Sequence, residues 1–410
     1  MSAKSIGCGL VLALGGLCMG ALGQAATRGG LSRPEVTIWP GLWTVDVATG
    51  QQEELLAWKR WCNIGVSRDL KNVAMLGQDL TAVVPDFEVS KQISVGPARG
   101  PRRVLWPPPG ARSPTGSPST AELFWSADGQ RLLVISGGAA MVVGLDGKVR
   151  GFGMNAGFVD AAQVKPPPGA RGVSPLGWRE PQGWQDLYWP AAQWAGRSST
   201  EVLVPSAPAT DRGRLKAVNV DSGAVRDICP LQPGTGLGRP GETVVASADA
   251  RSIAMFKAIT SSSAGGVWVW RQGAAKPRPL AQVGSRGRGA LSPDGRCLVS
   301  ELGQDEAYAA MAWLVDDGKE LWTAPRGTPP QIQTCHLFTF DPAGKQLAFV
   351  TVARGSKQLY VTPALKYEPR ALGKPLGEGM GLQSLAWSAD GKKLVLHLVP
   401  SPPDRIIIWH

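Results

Sequence analysis

The residues best suited to binding chemistry lie in one aromatic-rich stretch near the middle of the chain, SPLGWREPQGWQDLYWPAAQW. It holds Trp178, Trp184, Tyr188 and Trp189, with Arg179 between them. Exposed rings at this density stack on sugars or clamp a protein partner. The competing interpretation is that the rings pack between sheets, because tryptophan recurs in strand-like segments along the whole chain. We take these five residues as the candidate ligand-binding set.

Arginines accompany the same region and would form a basic rim that favours an acidic ligand. They are Arg112, Arg171, Arg179 and Arg197. The formal net charge of +11 is otherwise scattered, and no run of five or more basic residues occurs. A nucleic-acid groove needs clustered charge with interleaved aromatic residues, so we predict no nucleic-acid partner.

Catalysis and metal binding are not predicted. The chain has no separate α/β-hydrolase domain with a Gly-x-Ser-x-Gly elbow and a downstream histidine. His336, His397 and His410 lie in or beside strand-like segments, away from metal-ligand spacing. Scattered carboxylates that converge on a channel remain the one route to acid–base chemistry. We expect a protein that is not an enzyme and has neither a metal nor a cofactor.

Four cysteines follow the N-terminal segment: Cys62, Cys229, Cys297 and Cys335. An even number in an oxidising compartment permits disulfides, and four cysteines allow three pairings between which the sequence does not choose. Cys297 and Cys335 fall on neighbouring repeats and are candidates for a bond. Buried free thiols in strands are the alternative.

Asp-Gly pairs recur at regular places, where the aspartates are either calcium ligands or turn residues. Each pair follows a serine and precedes an apolar strand. Glycine tolerates the positive φ of a tight two-residue hairpin, so we predict turns. The residues are Asp128, Gly129, Asp294, Gly295, Asp390 and Gly391.

These pairs belong to a repeated block that positions every element of the chain. The block has an aromatic or aliphatic strand end, a Ser-x-Asp-Gly turn and a second strand, as in AWSADGKKLVLHLV from Ala386. A further strand pair follows most copies. The residue after the strand end recurs seven times, at separations of 59, 69, 52, 45, 49 and 47 residues: Ser67, Ser126, Ala195, Ser247, Ser292, Asp341 and Ser388. Such periods indicate propeller blades.

The blocks FWSADGQRLLVIS, LSPDGRCLVS, FDPAGKQLAFV and AWSADGKKLVL resemble the WD40-like (TolB-type, PD40) repeats of exported bacterial proteins. The resemblance covers roughly residues 60–410 and is strongest in the last third. It implies a ring of four-stranded blades. The family includes partner-binding proteins, substrate-gating domains and a few enzymes, so the motif specifies a blade and not an activity.

We therefore predict an all-β protein, a β-propeller of four-stranded antiparallel blades, with seven blades favoured and six or eight as alternatives. The last block leaves its blade short of strands, and residues 36–56 offer strands with no block before them. N- and C-terminal strands are expected to close the ring together. The blade lacks at least one strand, and which N-terminal strand fills it is open, because LWTVDVATGQQEELL provides two.

Two proline-rich segments interrupt the repeats, at about 97–119 and 164–193, and both contain Pro-Pro-Pro-Gly-Ala-Arg. Triple proline forms a stiff, extended spacer. The alternative is that an aromatic groove of a partner protein recognises it. At the N-terminus, Lys4 and the apolar run Ile6–Leu22 predict a cleaved signal peptide over residues 1–26. Residues 27–410 would then be one secreted or periplasmic propeller with no stable membrane span. A retained anchor or a lipoprotein is the alternative.

The sequence favours an exported, non-catalytic scaffold that binds a protein or peptide partner in the cell envelope through loops at one mouth of the channel. A propeller that binds or cleaves carbohydrate through the Trp-rich segment is the second reading. A purely structural envelope component is the third.

Overall fold

A computed structural model describes the fold of this chain. It describes residues 41–57, 63–76, 93–106, 122–136, 139–152, 187–206, 213–232, 244–257, 265–281, 285–302, 309–324, 334–353, 356–376 and 380–400. The predicted signal segment 1–26 lies outside these ranges and stays a prediction. No helix within them has the length and apolar character needed to span a bilayer.

The described residues form seven four-stranded antiparallel sheets, which confirms the predicted seven-bladed propeller. In chain order the strands are β1 (Gly41–Asp46), β2 (Gln52–Ala57), β3 (Asn63–Val66), β4 (Val73–Leu76), β5 (Ile93–Gly96), β6 (Arg103–Trp106), β7 (Glu122–Trp125), β8 (Arg131–Ser136), β9 (Ala139–Gly144), β10 (Val149–Phe152), β11 (Gln193–Trp194), β12 (Glu201–Pro205), β13 (Arg214–Asn219), β14 (Val225–Pro230), β15 (Val244–Ala246), β16 (Ser252–Lys257), β17 (Gly266–Arg271), β18 (Arg278–Ala281), β19 (Ser285–Leu291), β20 (Cys297–Leu302), β21 (Ala309–Leu314), β22 (Glu320–Thr323), β23 (Thr334–Phe340), β24 (Gln346–Ala353), β25 (Ser356–Pro363), β26 (Arg370–Leu376), β27 (Met380–Trp387) and β28 (Lys393–Pro400).

Blades 1 to 6 each take four consecutive strands, from β3–β6 to β23–β26. The first strand of each predicted block is an edge strand of its sheet, and residues of these first strands line a central cavity. The second strand of each block is mostly buried, as at residues 132–135, because it packs between the neighbouring blades. The residue that directly follows each first strand, which we call the marker residue, is buried in all seven blades: Ser67, Ser126, Ala195, Ser247, Ser292, Asp341 and Ser388.

Blade 7 closes the ring with strands from both ends of the sequence, in the order β2-β1-β28-β27. Both N-terminal strands take part, β1 beside β28 and β2 at the outer edge, which answers the open question of which of them closes the ring. β1 pairs antiparallel with β28, with Val45 opposite Leu394 and Trp43 opposite Leu396. The buried side of this seam packs into one apolar cluster with blade 6.

The first proline-rich segment is not wholly an insertion. Arg103–Trp106 lies within residues 97–119 and forms the outer strand of blade 1, where Ile93 pairs with Trp106. The prolines around it masked a four-residue strand, and Trp106 is fully buried in the cluster between blades 1 and 2. Residues 107–119, with the first triple proline, lie outside the described ranges.

The turn after each first strand is a four-residue loop, not the predicted two-residue hairpin. In blade 2 the N–H of Gly129 donates to the carbonyl of Ser126 (3.0 Å), and Ser126 and Arg131 close the loop. The Ser126 hydroxyl donates to Asp128 Oδ1 (2.6 Å), which also accepts the N–H of Gln130 (3.0 Å). Only the glycine has positive φ, +66°. The motif is therefore a type I turn in which serine and aspartate hold the backbone and glycine takes the left-handed position.

Imperfect copies adopt the same turn at a conformational cost. Leu70 and Ala250 stand where the copies in blades 2, 5, 6 and 7 have glycine, and their φ angles are +62° and +55°. A left-handed conformation costs a residue with a Cβ about 1–2 kcal/mol. Those two copies are recognisable blades in spite of the missing glycine, because the serine and aspartate contacts remain.

Replacing Ala250 with glycine is expected to stabilise the protein by about 0.5–1 kcal/mol, because relief of the strain exceeds the extra entropy of glycine in the unfolded chain. The reverse change, Gly391→Ala, is expected to cost about 1–2 kcal/mol, since φ there is +70° while an added Cβ meets only ordinary contact with Pro342 Cδ at 3.5 Å. Urea denaturation of both variants measures this. Equal free energies of unfolding for the three proteins would refute the turn assignment.

Strand-end tryptophans join neighbouring blades. In each case the indole Nε1–H donates to a backbone carbonyl of the preceding blade. The accepting residue lies two positions before the marker residue of that blade. Because an unpaired buried carbonyl costs about 1–3 kcal/mol, these bonds favour one spacing of the blades. The bonds run from Trp125 to Gly65 (3.0 Å), from Trp194 to Phe124 (2.9 Å) and from Trp387 to Thr339 (2.9 Å).

His397 gives the fold a pH dependence. It is 2% exposed on β28, and burial lowers its pKa from 6.5 to about 4. Between these two pH values, His397 is protonated in the unfolded chain but neutral in the folded state. Stability is therefore fully present above pH 6.5 and falls with pH by up to about 1.4 kcal/mol per unit, or about 3 kcal/mol in total.

We expect His397→Gln to flatten the dependence of unfolding free energy on pH between pH 6.5 and 4, whatever it does to absolute stability. Denaturation curves at half-unit pH steps measure the slope. The turn aspartates, for example Asp128, have a lowered pKa through hydrogen bonds from Ser126 and Gln130 that outweigh burial, and their contribution is lost only below this window. An unchanged slope in the variant would mean that His397 is not the group responsible.

Candidate functional site

The structure places the predicted aromatic set only in part. Trp178, Trp184 and Arg179 lie outside the described residues. Trp189 opens a 3₁₀ turn, Trp189–Ala191, and is 3% exposed, packed against residues of blades 2 and 3. Tyr188 beside it is half-buried. The burial of Trp189 fits the packing interpretation and removes that ring from any exposed binding surface.

Two of the four cysteines are buried free thiols, Cys229 and Cys297. Burial raises the pKa of each thiol to about 12, so both are protonated and unreactive at neutral pH. The Cys297 Sγ donates to the carbonyl of Ala364 at 3.7 Å across the boundary between blades 5 and 6. Cys62 and the side chain of Cys335 lie outside the described part of the chain.

All seven blades contribute to one cavity at the centre of the ring, of about 490 Å³. Its wall is made of turn residues from every blade and of the ends of the first strands of blades 4 to 7, with Val245, Phe338, Phe340 and Trp387 among the apolar residues. The turns that follow the first strands surround its opening, which we call the turn mouth. The predicted turn residues Asp128 and Gly129 lie on it, so those turns shape the candidate site. Its volume lies in the usual range for ligand-binding clefts.

Main-chain hydrogen bonds between neighbouring turns hold the turn mouth. The N–H of the residue after the marker donates to the carbonyl of the equivalent residue in the next blade: Ala248 to Pro293 (2.8 Å) and Ala389 to Arg68 (2.7 Å). In blade 3 the N–H of Arg197 donates to Ala248 (2.8 Å). These bonds hold the backbone of neighbouring turns in fixed relative positions, as a preorganised binding surface requires.

Two prolines interrupt this pattern. Pro293 has no N–H and cannot donate to the carbonyl of Pro342 in the next blade. Instead, Arg197 reaches from blade 3 to blade 6, and its Nη2 donates to that carbonyl at 2.7 Å. The guanidinium therefore lies across the turn mouth, fixed at one end.

Arg68, the second cation of the turn mouth, comes from blade 1 and lines the same cavity. Its side chain is exposed to the channel, yet the protein around it, and secondarily the positive charge of Arg197, lower the pKa of its guanidinium. Neither arginine forms an ion pair with a carboxylate within the described residues. Two like charges thus face one cavity.

Sequence reasoning included Arg197 in a basic rim but missed Arg68. A signal for Arg68 exists in the aligned blocks. The residue after the marker is small or proline in the other six copies: Ala127, Gly196, Ala248, Pro293, Pro342 and Ala389. Arg68 is the one exception. Because this position of the turn lines the central cavity, an arginine there places its side chain at the channel.

No protein-family model matches the sequence, and no curated protein matches it. Solved propellers resemble it at low identity. The structure of putative TolB from Agrobacterium tumefaciens is 15% identical with a TM-score of 0.38, and the match covers 73% of this chain and 94% of that one. The Dos1 propeller is 12% identical with a TM-score of 0.47, and the match covers 87% of this chain and 95% of that one. The β-propeller domain of the Trilobed protease from Pyrococcus furiosus is 10% identical with a TM-score of 0.47, and the match covers 84% of this chain and 99% of that one. These likenesses extend to the propeller fold and no further.

Proposed function

We propose that this protein is an exported, non-catalytic binding propeller that takes a peptide segment of an envelope protein into the channel at the turn mouth. The observation that carries the proposal is the cavity of about 490 Å³ to which all seven blades contribute. Aromatic rings on its wall, including Phe338 and Trp387, offer apolar contact, and two arginines offer charge. A few convergent polar groups over an apolar wall are typical of a ligand site.

The rigidity of the turn mouth supports a recognition role. Hydrogen-bonded turns that do not have to be ordered on binding reduce the entropy lost on association. Export rests on the predicted signal segment, residues 1–26, and is tested separately by N-terminal sequencing of the mature protein from culture.

Peptide selection against the folded protein tests the binding site. Peptides selected from a random display library would be titrated, by fluorescence anisotropy, against two variants that each gain a tryptophan. Ala386 lines the cavity, so Ala386→Trp fills it, whereas Ala371 is exposed on the outer strand β26 and Ala371→Trp leaves the cavity open. We expect Ala371→Trp to bind like the wild type and Ala386→Trp to lose binding. Equal binding by both variants would place the ligand elsewhere and refute the proposal.

A further inference from the structure

The turn mouth holds positive charge that the protein itself does not neutralise. Arg68 and Arg197 both line the cavity, and the charge of one acts on the other. Bringing two guanidinium groups together costs free energy unless an anion joins them. Such an arrangement at the opening of a cavity attracts an anionic ligand.

The acidic residues of the turn mouth are occupied elsewhere. Asp69 Oδ1 accepts the hydroxyl of Ser67 (2.6 Å) and the N–H of Lys71 (3.1 Å), and its Oδ2 lies 3.8 Å from Lys71 Nζ. Asp128 has the equivalent bonds within its own turn. The cations that act on these carboxylates are Lys71 and Arg131, not the channel arginines. Both aspartates therefore build the turns and do not neutralise the channel.

The two arginines differ in freedom. Arg197 is held by its bond to the Pro342 carbonyl, which leaves the rest of its guanidinium facing the opening. Arg68 forms no hydrogen bond through its side chain to any described residue. A planar fork of N–H donors that is free in a preformed cavity matches the two oxygens of a carboxylate.

We propose that Arg68 and Arg197 bind the carboxylate of a peptide, from either an acidic side chain or a free C-terminus. This inference rests on the proposed peptide-binding function and specifies its ligand chemistry. A carboxylate fits better than a phosphate, because Asp69 and Asp128 stand on the same rim and would repel a doubly charged group more strongly. The aromatic wall below then receives the neighbouring apolar side chain.

Four small probes isolate this chemistry without a known partner. N-acetylphenylalanine presents a terminal carboxylate next to an aromatic ring, and its amide is the neutral match. N-acetylglutamate α-amide presents a side-chain carboxylate, and inorganic phosphate is the competing anion. Isothermal titration of the full-length protein at constant ionic strength is expected to show binding of the carboxylates in the millimolar range, about tenfold tighter than the neutral amide.

Substitutions of the two arginines test which side chain binds the carboxylate. Arg68→Gln is expected to remove the preference for acid over amide, while Arg197→Lys keeps the charge but loses the fork and weakens the preference. Arg251→Gln is the matched control, since Arg251 is exposed on the blade 4 turn and lies near Asp249 (3.7 Å). Circular dichroism of each variant shows that it is folded before titration.

Each result decides the matter. Equal affinity for acid and amide, no binding of either, or the same loss in Arg68→Gln and Arg251→Gln overturns the proposal. Tighter binding of phosphate than of both carboxylates overturns the choice of ligand. The terminal and side-chain probes tell the two carboxylate sources apart. Failure here leaves the peptide-selection test intact, because neutral peptides can still enter the cavity, so the two proposals fail separately.

Discussion

Val45→Asp is expected to prevent closure of the ring. Val45 lies near the end of β1, the strand between β2 and β28; it is 1% exposed and packs in the cluster that joins blades 6 and 7. A carboxylate at this place has no cation to pair with among its apolar neighbours. An unpaired buried charge costs several kcal/mol, roughly 4 or more here, against a total stability of about 5–15 kcal/mol for a typical protein.

The expected outcome is loss of the cooperative thermal transition and of the near-ultraviolet circular dichroism, together with a larger hydrodynamic radius. Gln51→Asp adds the same charge in the exposed turn just before β2 and should behave like the wild type. If Val45→Asp melts within a few degrees of that control, β1 does not carry the closing seam.

Gly196→Ala is expected to destabilise the turn mouth by about 2–5 kcal/mol, the sum of left-handed strain and overpacking. The φ of Gly196 is +56°, and an added Cβ would lie 2.3 Å from the Ser247 carbonyl oxygen and 2.4 Å from that of Ala248. Both obstacles are backbone atoms of the next blade. They cannot retreat without stretching the bond from Arg197 N–H to the Ala248 carbonyl.

Gly273→Ala supplies the control for this variant. Its φ is +90°, but an added Cβ meets nothing within 4 Å, so only the strain of about 1–2 kcal/mol should appear. Chemical denaturation gives both values. We also expect Gly196→Ala to reduce binding of the carboxylate probes, since Arg197 is the next residue. Similar losses in the two variants would show that contact between the turns contributes little.

The blades could be predicted because each one is encoded locally. Ser126, Asp128 and Gly129 fall within four residues, and their hydrogen bonds close a turn with no help from the rest of the chain. The blade count followed from the spacing of such blocks. Outer strands carry a weaker signal, since few of their residues are buried. β26, with Gly373 and Pro375 inside it, shows how far such a strand departs from an alternating pattern.

The candidate site was harder to predict because it depends on contacts across the ring. Arg197 and Pro342 are 145 residues apart, and nothing local shows that one donates to the other. The aromatic stretch drew attention by density alone, yet Trp189 is buried between two sheets. The density of rings does not distinguish packing from binding. Arg68, by contrast, departs from the small or proline residues at its position of the repeat, and it lines the cavity.

The seam of blade 7 also sets an order of events during synthesis. β1 is a central strand whose partner β28 leaves the ribosome last among the described strands. Until then Leu42 and Val45 lack the strand that covers them, and β1 presents an unpaired edge to other chains. If translation stops within blade 6, the incomplete chain cannot close the ring and keeps unpaired strand edges that can associate with other chains. For this protein, the ring closes only after β28 has been synthesised.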